Sequence, residues 1–174
     1  MLFRSQEILY RRVGKNELAV IQVCHELVDA EKEYSSHPHD NGSSHQYAQK
    51  IFSDPGKHNG LYWPVSGGEA ESPIGPLVAS AAAEGYVRDP NQKQQPFQGY
   101  FFRVLKVGDT AAGGNSPQGF AFLAYPAEYR SSGVMTFMVD QNGIVYEKDL
   151  GRHTAEAAKI LTRHDRDATW RKAS

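Results

Sequence analysis

Residues 125–151 read YPAEYRSSGVMTFMVDQNGIVYEKDLG, and how this stretch folds decides the architecture. VMTFMV and IVYEKD are strand-like runs on either side of Gln141-Asn142-Gly143. An Asn-Gly pair between such runs favours a tight type I′ turn, so the stretch is expected to be an antiparallel hairpin. Side chains alternate across a strand, which puts Val134, Thr136 and Met138 on one face and Met135, Phe137 and Val139 on the other. Both faces are largely apolar. That predicts cover on both sides: a helix on one, a loop or a partner on the other.

Working outward, YFFRVLKV and FAFLAY add two more period-two runs, giving a four-stranded antiparallel meander over about 99–150. A closing helix is expected over about 154–163. Upstream the period changes. From about Gln6 to Tyr34 the pattern is helical, with Leu18, Ile21, Cys24 or His25, and Val28 at the three-to-four spacing of a buried stripe. Gly14 is expected to break or bend this helix and Asn16 to cap a second one. Glu26, Asp29, Lys32 and Glu33 supply a solvated face. SSHPHDNGSSH is loop, HQYAQKIFS a short amphipathic helix stopped by Asp54-Pro55-Gly56, and LVASAAAEGY an alanine-rich helix with Gly85 as its C-cap. Helices over about 1–90 and then a sheet argue for a single α+β domain over 1–174, with the long N-terminal helix packed on the sheet.

The 174 residues are 40% hydrophobic and 22% charged, with 19 basic side chains against 20 acidic ones. That near-balance gives no reason to expect nucleic acid or a charged membrane surface as partner. A lone cysteine, Cys24, excludes an intrachain disulfide and a cysteine-rich metal site. No run approaches the roughly 18–20 apolar residues of a membrane span, and MLFRSQEILYRRVGKNEL lacks the apolar block of a signal peptide. As written, the chain is expected to be soluble and untargeted unless a leader has been removed.

Motifs with recognisable chemistry are few. His37, His39 and His45 on one polar loop are candidate zinc ligands, although no cofactor is expected overall. HELVD at 25–29 imitates a zincin helix with Asp29 in place of the second histidine. There is no G-x-S-x-G elbow, S-x-x-K pair or phosphate loop. Glu128, Asp140, Glu147 and Asp149 crowd the strand region, but Glu147 and Asp149 share a strand face with Lys148 opposite, an ordinary solvated pattern. Within YPAEYRSSG a simple hairpin does not need Glu128, Ser131 or Ser132, so these, with Lys148, are the candidate catalytic residues. Tyr62, Trp63, Tyr125 and Tyr129 are the candidate binding aromatics, suited to a protein partner or a small ligand.

Several long blocks carry a resemblance. ILYRRVGKNELAVIQV, YAQKIFSDPGKHNGLYWP, SPIGPLVASAAAEGY, PFQGYFFRVLK and GFAFLAYPAEYRSSGVMTFMVDQNGIVYEKDLG resemble the bacterial family catalogued as domain of unknown function 2950, over nearly the whole chain. Members are typically longer and exported, so the resemblance implies that this chain matches their C-terminal part. It implies a periplasmic or secreted, envelope-associated setting; the chain complete as written would be cytoplasmic. LVDAEKEY ending a helix, the G-Y-x-F strand and the final hairpin are also similar to type IV pilins and pseudopilins, which implies a long helix laid on an antiparallel sheet. The apolar half-helix of pilins is absent from this sequence. The expected function is an envelope-associated binding or assembly module. The alternative is a hydrolase with an unfamiliar site at the sheet edge or a metal on the histidine loop.

Overall fold

A computed structural model describes residues 2–40, 46–65, 67–68, 71–81, 95–105, 107, 119–161 and 166–174. The elements run α1 (Leu2–Ser36), α2 (Pro76–Ala81), β1 (Tyr100–Leu105), β2 (Ala121–Pro126), β3 (Met135–Asp140), β4 (Val145–Asp149), α3 (Thr154–Ile160) and β5 (Arg171–Lys172). The sheet has five strands in the order β1-β2-β3-β4-β5, each pair antiparallel. It is the expected α+β meander with one strand more than four. β5 has two residues, pairing Tyr146 with Lys172 and Glu147 with Arg171, too few to show any period.

Alternation gives each strand one side chain in two to either face. Phe102 of β1, Phe122 of β2, Phe137 of β3 and Val145 of β4 form one core with Val20, Cys24 and Leu27 of α1. Leu105, Leu123 and Met138 form the other with Ala158 of α3 and Trp170. The second apolar face of β3 is therefore covered by α3 and the C-terminal segment. Phe122 and Phe137 are almost fully buried, each removal from water worth about 1.5–3 kcal/mol.

Three helical expectations change. α1 runs without a break through Gly14, for 35 residues. A helical glycine costs only about 1 kcal/mol, and burial of Val13 and Val20 on either side outweighs it. Asn16 is thus inside α1, not at a cap. HQYAQKIFS is not a helix in its described part, 46–53. Instead the Tyr62 N–H donates to the Ile51 carbonyl (2.7 Å) and the Ser53 N–H to the Tyr62 carbonyl (2.9 Å), with Phe52 edge-on to Tyr62. A helix this short is marginal alone, so non-local pairing wins. α2 is described over Pro76–Ala81, and the rest of the expected alanine-rich helix, with its cap Gly85, lies outside the described residues.

Candidate functional site

The polarity of YPAEYRSSG resolves into a corner between β2 and β3. The Glu128 carbonyl accepts from the N–H groups of Ser131 (3.0 Å) and Ser132 (2.8 Å), and the Arg130 N–H donates to the Gly133 carbonyl (2.7 Å). Arg130 takes a left-handed φ of 64° to close the turn. The Ser132 hydroxyl accepts from the Glu128 N–H (3.0 Å) and donates back to the Glu128 carbonyl (3.2 Å). Ser132 is thus the internal brace of the corner.

The same corner is seated on α1. Arg12 donates to the Ser131 carbonyl (2.9 Å) and to its hydroxyl (3.2 Å). One turn on, the Asn16 side-chain amide donates to the Ser132 carbonyl (2.8 Å). Glu17 accepts from two consecutive backbone N–H groups, Val134 (2.8 Å) and Met135 (3.0 Å). Positions four apart lie one above the other on a helix face, so these side chains form a polar edge beside the apolar stripe. Tyr100, fully buried, completes the junction by donating to the Met135 carbonyl (2.9 Å). Burial first, then the nearby Glu17 charge, pushes its phenol well above the usual range. A Cβ on Gly133 would overlap the Tyr100 ring and hydroxyl, and one on Gly99 (φ 77°) would press on Asn16 and Ser132.

The candidate catalytic residues are brought together only in part. Glu128, Ser131 and Ser132 share the corner on the α1 side. Lys148 lies across the sheet, bridged to Asp167 at 3.4 Å and above the Trp170 ring. Neither serine hydroxyl is bonded to an imidazole or a carboxylate among the described residues, so the base that would activate a nucleophile is not in contact with them. Of the candidate binding aromatics, Trp63 and Tyr125 are 4% and 2% exposed and belong to the cores. Tyr62 is half-buried against Phe52. Tyr129 donates to Asp149 (3.1 Å) beneath the Arg130 guanidinium.

The histidine loop also separates. His45 lies outside the described residues. His37 bonds the Ser36 hydroxyl (2.8 Å). His39 stacks on Tyr34 at 4.0 Å and bonds the Tyr34 carbonyl (2.9 Å). The ring that joins His39 around Trp63 is His58. Among the described residues no three histidine, cysteine or acidic side chains converge as metal ligands. In the zincin-like segment, His25 is exposed and Asp29 faces Lys32 at 3.8 Å.

One titratable group escaped the sequence reading. Glu31 is fully buried on the core face of α1, one oxygen accepting from the Ala48 N–H (2.9 Å) and the other without a partner among the described residues. Burial pushes its carboxyl from 4.5 up to about 8, with the Ala48 hydrogen bond pulling the other way. The spacing Val20, Cys24, Leu27, Glu31, Tyr34 was the available signal, a carboxylate in an apolar stripe. Cys24 on that stripe is buried, and its thiol is pushed up to about 12.

No described helix is long and apolar enough to cross a membrane. No curated protein and no solved structure matches the chain. The pattern of the family described as "Protein of unknown function (DUF2950)" matches residues 3–173, and the chain belongs to that family.

Proposed function

We propose that the chain is a binding or assembly module of the bacterial cell envelope, a pilin-like helix-on-sheet body, and not a hydrolase. One observation carries the choice: the polar groups at the sheet's end are engaged in seating the 127–134 corner on α1. Arg12, Asn16 and Glu17 take up the carbonyls of Ser131 and Ser132 and the N–H groups of Val134 and Met135. The resemblance to a family whose members are typically exported supports the envelope setting, and a protein is the partner that suits the exposed face of the long helix α1.

The test is a panel of chromogenic esters, phosphoesters and glycosides run on the wild type, Ser131→Ala and Ser132→Ala. The binding reading expects no turnover above the buffer rate from any of the three, with Ser132→Ala lowering stability. Turnover by the wild type that vanishes in Ser131→Ala or Ser132→Ala would overturn it in favour of a hydrolase.

A further inference from the structure

α1 has a second face. Opposite the core stripe, exposed side chains recur every three or four residues along nearly the whole helix, the spacing of a single helical seam. Its first half carries Arg4, Arg11 and Lys15, and its second half Glu26, Asp29 and Glu33, all exposed. Ile8 and Leu18 lie on the same seam at 68% and 66% exposure.

This arrangement opposes the helix's own electrostatics. Acidic side chains stabilise a helix N-terminus and basic ones its C-terminus. Yet α1 has no acidic residue in its first turn and no basic residue in its last, and the seam is basic early and acidic late. Intrachain pairing takes up only part of the charge. Arg11 meets Glu7 and Lys32 meets Asp29, while Arg4, Lys15, Glu26 and Glu33 make no ion pair among the described residues.

We infer that this seam pairs antiparallel with the same seam of a second copy of the chain. Charge complementarity selects the occupant. Aligned head to tail about the midpoint between Leu18 and Ala19, Arg4 faces Glu33, Ile8 faces Asp29, Arg11 faces Glu26 and Lys15 faces Gln22. Every charged position then meets an opposite charge or a neutral or apolar side chain. The pairing is isologous, as a two-fold dimer requires, so each contact occurs twice. It also sets the two helix dipoles antiparallel.

The inference rests on the binding-module reading and supplies its partner. The experiment is sedimentation equilibrium of the full chain and three variants: Arg11→Glu, Glu26→Arg and the double swap. All the changed positions are exposed, so the fold is retained. The wild type is expected to dimerise in low salt and more weakly in high salt. Each single reversal should raise the dissociation constant at least tenfold, and the double swap should restore it to within about threefold of wild type, because opposite charges again face each other. A wild type monomeric at all concentrations, or a double swap no tighter than the singles, overturns the pairing. Either result leaves the hydrolase question to the substrate panel, so the two failures are distinguishable.

Discussion

Glu31→Gln isolates the one buried carboxyl on the core face of α1. The substitution keeps an oxygen to accept the Ala48 N–H and removes only the ability to ionise. In the folded chain burial raises the carboxyl from 4.5 to about 8. Between those values the folded state keeps a proton that the unfolded state has released. The stabilising contribution is therefore complete below about pH 4.5 and is lost as pH rises through about 8. At about 1.4 kcal/mol per unit, the wild type should lose on the order of 3–5 kcal/mol between pH 5 and pH 9 that Glu31→Gln does not lose. Urea unfolding of both proteins at pH 5, 7 and 9 reads this difference, and any fixed cost of the glutamine amide cancels in the comparison. Parallel stability curves for the two proteins would refute the reasoning, because they would mean that Glu31 ionises normally and is solvated.

Two further outcomes follow from the same packing. Gly133→Ala places a methyl group in the Tyr100 ring and should cost about 2–4 kcal/mol by displacing the hydroxyl from the Met135 carbonyl; unfolding midpoints measure it, and a neutral substitution would show that the corner can slide off Tyr100. Cys24, buried with its thiol pushed up to about 12, should react with a thiol reagent only after unfolding, so rapid labelling of the native chain at neutral pH would contradict its place in the core.

The legible parts of this fold were those with a period. The alternation of VMTFMV and IVYEKD around Asn142-Gly143 gave β3 and β4 directly, and the stripe expected from Leu18 to Val28 gave the helix that covers them, although its face is turned: Leu18 is exposed, and Val20, Val23 and Leu27 join Cys24 and Val28 in the core. The continuity of α1 through Gly14 was not legible, since a local penalty was outweighed by packing on a sheet that lies far along the chain. The same applies to residues 46–53, whose backbone partners are at 61 and 62. In the corner, Ser131 and Ser132, which sequence reasoning marked, are the residues bonded to α1. Their polarity stood out because a simple hairpin does not need it: the Ser132 hydroxyl braces Glu128 within the corner, while Arg12, 119 residues upstream, bonds Ser131, and Asn16, 116 residues upstream, bonds the Ser132 carbonyl. Contacts across that separation leave no periodic trace. Glu31 was visible in the stripe, but a carboxylate at one helical position looks solvated until the neighbours that bury it are known.

The account's central claim is that the polar groups of the 127–134 corner seat it on α1. Amide exchange at Val134 and Met135, in the wild type and in Glu17→Ala and Glu17→Gln, tests this most directly, because Glu17 accepts from both N–H groups. Protection of these two amides should fall about tenfold or more in Glu17→Ala, as expected when an acceptor worth about 1.5–3 kcal/mol is lost. It should stay near wild type in Glu17→Gln, which retains an acceptor oxygen. Unchanged protection in Glu17→Ala would contradict the claim and return the corner to consideration as a site.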